Sequence, residues 1–416
     1  MNPFAASAVL WLACALPAAG ADPRLQPYIQ VLREQGKDPA RFVVEKLEVY
    51  DLLIFDDALH TAVEPFVFYQ RLVEDPSFRR RAPIIFIEAI PSNKQRHIDE
   101  YLSAPADDPR LLYPAFQDDV SGSGFPYRTY FNLLAAIRAV NLSLPVKERL
   151  AVFAVGSPTF WKEIQTPRDL EQFHKSLASY DHHMYAEILE EMDQFRSGKK
   201  GIFLTNTRHA YKGIKSSDGQ LFWDTGTFFT QRHPGKTLSI RMHNVALSIQ
   251  KLKTPSEGTS KTAQGLEEVE YKFVRMARGL WDSAFRANGD APIAIPIAGN
   301  VFGEEPYIGN HQLDALPGQK MQDAYDALIF LGPIETMRQT AFVDFIYTAA
   351  FKEEMKRRLQ LSNSQEQLAE LLKESHAATL DEYLKGTTLA VEEKPLPQAR
   401  GVGPIDEWKS APVRKD

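Results

Sequence analysis

Asp51-Leu52-Leu53-Ile54-Phe55-Asp56-Asp57-Ala58-Leu59-His60 decides the fold. An unbroken apolar run, too short for a buried helix, stops at two carboxylates and an imidazole. Strands buried on both faces of a parallel sheet read this way, because both faces need apolar side chains. The same grammar recurs. Pro83-Ile84-Ile85-Phe86-Ile87 stops at Glu88, and Ala151-Val152-Phe153-Ala154-Val155 stops at Gly156-Ser157. Gly201-Ile202-Phe203-Leu204 stops at Thr205-Asn206-Thr207-Arg208-His209. In open α/β sheets, ligands bind beyond the carboxyl ends of the strands. Asp57, His60, Glu88 and His209, distant in the chain, are therefore expected to meet at one rim.

Helical patterns fill the gaps between these runs. Apolar periodicity predicts helices over 24–48 (broken at Gly36-Lys37-Asp38-Pro39), 64–75, 94–102, 130–140 and, in two pieces, 169–196. The alternation β-α-β-α-β-α-β is the signature of an α/β fold with a mostly parallel central sheet flanked by helices. Residues 238–242, 291–297 and 326–331 are further strand candidates, and 337–386 read as mostly helical. Residues 103–126 and 254–265 are polar and loop-like. The expected organisation is an α/β domain over 22–350, a helical extension over 351–388, and a disordered or extended tail over 389–416 that has little apolar content.

The chain has 416 residues, 44% of them hydrophobic, enough for one large domain or two ordinary ones. A formal net charge of −6 gives no electrostatic case for nucleic acid. Beyond the N-terminus no run of 18 or more charge-free apolar residues occurs, so no integral membrane span is expected. Residues 1–21 carry an apolar segment followed by Ala19-Gly20-Ala21, which reads as a signal peptide with cleavage after Ala21. Export to the periplasm or the extracellular space follows as an expectation. Cys14 is the only cysteine and lies within that segment, so cysteine chemistry and disulfides are excluded from the mature chain.

Asp57 and His60 are three apart, and in a helical turn they would share a face. A carboxylate beside an imidazole orients it and raises its basicity, which suits a general base or half a metal site. The bland alternative is a helix-capping Asp and a surface His. Glu88 closes an apolar strand, and a carboxylate there needs a partner. It reads either as a functional group or as a structural ion pair with Arg208 or Lys94. Arg208 could hold a carboxylate or an oxyanion, and His209 could be a second acid/base group or a ligand; loop hydrogen bonding is the alternative for both. In Asp181-His182-His183-Met184, neighbouring residues diverge on a helix, so Asp181 or one His is expected to face the site and Met184 the core. Ser157 reads as a turn residue, because Gly-Ser-Pro is not a nucleophile elbow. His233, His243 and His311 read as structural.

Together these motifs resemble the superfamily that contains erythromycin esterases, the ChaN haem-binding proteins, and the TraB and Tiki proteins. The carriers are Asp56-Asp57-Ala58-Leu59-His60 with Glu64, the strand end Phe86-Ile87-Glu88, the helix motif Tyr180-Asp181-His182-His183-Met184, His209, and Tyr325-Asp326-Ala327, spread over roughly 40–340. The sequence departs from the esterase pattern at Asp56 and Asp57, where that pattern has Gly and Glu, and at Tyr180, where it has Arg. The resemblance implies His60 as general base, Asp57 and Glu88 as its charged support, and His209 as a second imidazole.

The resulting expectation is an exported hydrolase that cleaves an ester or amide in a small-molecule or peptide-like substrate, with His60 activating water and Arg208 and His209 stabilising the oxyanion or leaving group. The centre is expected to be metal-free. A variant uses Asp57, His60, Glu88 and His209 as ligands for Zn or Mn. The alternative from a different class is a non-catalytic haem- or metal-binding envelope protein of the ChaN type.

Overall fold

The computed structural model describes residues 22–117, 124–251 and 269–410. The expected signal peptide and the expected loop over 254–265 lie outside the described residues.

The described residues build a seven-stranded sheet from β1 (Leu52–Asp56), β2 (Ile84–Pro91), β3 (Ala151–Gly156), β4 (Gly201–Thr205), β5 (Thr237–Met242), β8 (Ile293–Pro296) and β9 (Ala327–Phe330), in the order β3-β2-β4-β1-β5-β9-β8. Every pairing is parallel except that of β8 with β9. A separate antiparallel pair is formed by β6 (Ala246–Lys251) and β7 (Val269–Val274). The four runs singled out in the sequence are β1 to β4, and they lie side by side. The architecture is α/β, with helices on both faces.

Strand alternation sorts the apolar side chains into two cores. Leu53, Phe55, Ile85, Ile87, Ile202 and Leu204 pack on one face with the helices Val63–Glu74 and Arg128–Leu142. Leu52, Ile54, Ile84, Phe86 and Phe203 pack on the other with the helices Tyr180–Glu191 and Leu280–Ala287. Because both faces are covered, the strands could not have alternated with polar residues, which is why they read as continuous apolar runs.

Register brings the strand ends level. Asp56 pairs with Thr205, and Ile87 pairs with Leu204, so Glu88 falls beside Thr205 on its other flank. Beyond Ile87 the pairing of β2 with β3 is irregular: Ile87 matches Ala154, but Pro91 matches Gly156. The extra residues of β2 bulge at the position of Glu88, a common way to aim a side chain at the edge of a sheet. Gly156 permits it, since a Cβ there would lie 2.4 Å from the Glu88 carbonyl oxygen.

Three local expectations are corrected. The segment after β1 is not helical. Ala58 takes φ +61°, and the Leu59 N–H turns back to the Asp57 carbonyl, so Asp57 and His60 are brought together by a tight turn. The region over 337–386 is helical only from Ala349, in the helices Ala349–Ser362, Gln365–Glu374 and Leu380–Thr387. Before it, Arg338–Gln339 pairs with Lys394–Pro395. The tail from 389 is ordered as far as Ser410. Leu396 and Trp408 are buried, and the Trp408 indole N–H donates to Ser283 Oγ at 2.7 Å while Arg24 stacks on its ring. A few well-spaced apolar anchors sufficed where mean composition indicated disorder. Residues 411–416 lie outside the described residues. Among the described residues no helix is long and apolar enough to cross a membrane.

Candidate active site

At the carboxyl ends of β1, β2 and β4, three carboxylates and two imidazoles form one buried cluster. His60 Nδ1 lies 2.7 Å from Asp57 Oδ2, and His209 Nδ1 lies 2.7 Å from Asp181 Oδ1. An ionised carboxylate only accepts, so each imidazole donates from Nδ1 and turns Nε2 inward. Both Nε2 atoms face Glu88: His60 at 3.8 Å from Oε2 and His209 at 3.4 Å from Oε1. Glu88 is held in turn by the Thr205 hydroxyl and by the Asn206 backbone N–H, the latter at 3.1 Å. Two aspartate-backed imidazoles thus bracket one carboxylate.

The two halves differ in support. Asp181 Oδ1 also accepts from the Thr225 backbone N–H and the Thr225 hydroxyl, each at 2.8 Å. Thr225 is the first residue of the helix Thr225–Arg232, so the positive end of that helix helps to hold the anion. The helix sits against the backbone that carries His209 because residue 226 is glycine: a Cβ would lie 2.7 Å from the Ala210 and Tyr211 carbonyl oxygens. Asp57, by contrast, has a buried Oδ1 without any hydrogen-bond donor among the described residues. The Tyr130 hydroxyl, from the opposite helix, lies 3.1 Å from His60 Nδ1.

The electrostatics follow the geometry. Burial pushes Asp57 up to about 6, with the His60 charge pulling against it. Burial by itself would lower His60, but the charge of Asp57, the hydrogen bond to it and the charge of Glu88 prevail and raise it to about 9. His209 is likewise raised, burial being outweighed by Glu88 and Asp181. Asp181 is lowered: its burial is overcome by the His209 charge and by the hydrogen bonds from His209 and Thr225. Asp181–His209 is therefore a firmly held ion pair, whereas the proton on His60 is backed by the less supported carboxylate.

Asp57, His60, Glu88 and His209 are thus brought together, and Glu88 faces the two imidazoles where an ion pair with Arg208 or Lys94 was the alternative. Arg208 is exposed at the rim and acts on Asp181 and His209 only through its charge. In the helix motif it is Asp181 that turns to the site. His183 Nε2 lies 3.1 Å from Ser92 Oγ, His182 packs on Phe228, and Met184 is buried. Tyr130 carried no sequence signal, being one aromatic among many on an amphipathic helix.

The four-residue ligand set for Zn or Mn does not fit this geometry. Asp57 stands behind His60 and is bonded to its Nδ1, so it cannot reach an ion held at Nε2. Among the described residues, no group of three or more His, Cys, Asp or Glu is arranged to hold a metal. A haem bound through His60 or His209 would need Nε2 to open on an apolar slot; here each Nε2 faces a carboxylate.

No family model matches the chain, and no curated protein matches it. Among solved structures, a histidine-to-asparagine variant of the erythromycin esterase EreC in its open conformation is similar at 11% identity and TM-score 0.43, over 74% of this chain and 95% of that one. A succinoglycan biosynthesis protein is similar at 9% identity and TM-score 0.49, over 76% of this chain and 98% of that one. A Bacillus cereus protein is similar at 13% identity and TM-score 0.37, over 74% of this chain and 97% of that one. The chemistry of the site is read from its own atoms.

Proposed function

We propose that the chain is a hydrolase that cleaves an ester or amide by attack of an activated water, with Asp57, His60, Glu88, His209 and Asp181 as its working centre. One observation carries this reading: two imidazoles, each fixed at Nδ1 by an aspartate, present Nε2 to the two oxygens of a single buried carboxylate. In this reading a water held in the notch between the Nε2 atoms and Glu88 gives a proton to neutral His60. The hydroxide adds to the carbonyl carbon. His209, kept protonated by Asp181, stabilises the oxyanion and then passes its Nε2 proton to the departing alkoxide or amine. Collapse leaves a carboxylic acid and an alcohol or amine; the acid ionises, its proton restores His209, and His60 releases to solvent the proton it took from water, so the products are a carboxylate and an alcohol or amine. Arg208 at the rim is placed to attract a negatively charged part of the substrate. Export is part of the proposal, supported by the apolar segment and the Ala19-Gly20-Ala21 site in the sequence.

The test is a panel of chromogenic esters and amides against the wild type, His60→Ala and Glu88→Gln. Turnover by the wild type that both variants lose supports the proposal. Turnover retained by folded His60→Ala removes His60 as the base. Elemental analysis of protein purified without chelator tests the metal-free form of the proposal directly.

A further inference from the structure

A third aspartate–histidine pair stands next to the second. His311 Nε2 lies 2.9 Å from Asp224 Oδ2 and 3.1 Å from its Oδ1. The imidazole is fixed in plane: Phe222 stacks on it at 3.9 Å with the rings 5° apart, and the Tyr211 ring meets it edge-on. Asp224 immediately precedes Thr225, whose backbone N–H and hydroxyl hold Asp181. Asp224 is buried, lies close enough to Asp181 and His209 to feel both charges, and is accompanied by Tyr307. A buried carboxylate, Asp224, and a half-buried one, Asp181, therefore flank one helix start.

Like charges so placed repel in a low-dielectric setting. A carboxylate in this position stays only where it has a donor of its own. His311 is that donor.

We propose that His311 is a positioning residue of the centre: by holding Asp224, it keeps the Asp224–Thr225 turn in place and so keeps the two Thr225 donors on Asp181, which orients His209. Without His311, Asp224 swings away from Asp181, Thr225 moves with it, and His209 loses its fixed orientation. His311 makes no hydrogen bond or ring contact with His60, Glu88 or His209; the polar partner of its imidazole is Asp224, and the ring's remaining contacts, on Phe222 and Tyr211, are packing that the double variant below separates from the effect through the turn. The inference rests on the proposed role of His209, but the structural coupling it describes is measurable without a substrate.

The experiment is NMR on histidine-labelled and amide-labelled full-length protein. It follows the His209 Nδ1–H resonance and hydrogen exchange at the Thr225 amide, with the His60 Nδ1–H resonance as internal control. In His311→Leu the His209 resonance is expected to broaden and Thr225 exchange to accelerate at least tenfold, with His60 unchanged. Adding Asp224→Asn removes the repulsion, so the double variant is expected to restore both signals. Lost packing could not be recovered that way. Unchanged signals in His311→Leu, or a double variant that restores neither, overturn the proposal. If His311→Leu alone does not fold, a folded double variant supports the proposal and an unfolded one overturns it. Loss of the NMR coupling would leave the hydrolase reading standing, and absence of turnover would leave the coupling standing.

Discussion

Asp56 and Asp57 are consecutive and both buried, yet they face opposite tasks. Asp57 turns to His60. Asp56 turns the other way and ties the sheet edge together. Its Oδ1 accepts from the Ala58 N–H at 2.7 Å and the Thr207 N–H at 2.6 Å, and its Oδ2 accepts from Arg241 at 3.0 Å and from the Tyr325 hydroxyl. One side chain thereby fixes the turn that carries His60, the turn that carries His209, and the neighbouring strand β5.

Asp56→Ala is expected to destabilise the protein by about 3–5 kcal/mol, because it leaves the buried Arg241 guanidinium without its counter-charge. Urea denaturation measures this. Asp57→Ala, which removes a carboxylate that costs free energy to bury, is expected to cost much less. Equal losses in the two variants would refute the division of tasks.

Glu88→Gln keeps the shape of the bracket and removes its charge. Since the Glu88 charge raises both His60 and His209, the two imidazoles are expected to titrate at lower pH in the variant. Turnover on any substrate found is expected to fall, because the carboxylate that holds the attacking water between the two Nε2 atoms is lost. Histidine NMR titration reads the first effect and steady-state kinetics the second.

The raised pKa of His60 fixes a sign. Its ordinary value is 6.5 and its folded value about 9. Between those values the folded state holds a proton that the unfolded chain has released, so stability falls as pH rises. The contribution is complete below about pH 6.5 and lost as the pH passes about 9, on the order of 3 kcal/mol in all. Thermal melts from pH 6 to pH 10 are expected to show this decline in the wild type and a flatter course in His60→Gln.

The same value shapes the rate profile. A base that is mostly protonated at neutral pH gives a kcat/KM that rises with pH and levels off near the folded pKa, about 9. Asp57→Asn removes the charge that holds the proton, so the rise is expected to move to lower pH. A profile that falls from neutral pH upward would count against His60 as the base.

Trp408→Ala tests the ordered tail. The indole is buried against Ser283 and Arg24, so the expected loss is about 3–5 kcal/mol. No measurable change would mean that the tail contributes nothing to the fold.

The sequence by itself determined the parallel sheet. Strands buried on both faces must be apolar throughout, so β1 to β4 and the polar residues at their ends could be read directly. It also singled out Asp57, His60, Glu88, Arg208 and His209 as candidate site residues, since ligands bind beyond the carboxyl ends of parallel strands. What it could not determine was partnership. Asp56 and Asp57 are identical in type, and only the positive φ of Ala58 and the register with β4 and β5 decide which one backs the imidazole. Asp181 reaches His209 across 28 residues, and Tyr130 reaches His60 across 70. His311 reads as an isolated histidine until the fold sets it on Asp224. The burial of Trp408 follows from a surface that exists only once the helix Leu280–Ala287 is packed. Local pattern fixes which face of an element is buried, while pairings between side chains depend on how the elements are brought together, and that information is spread over the whole chain.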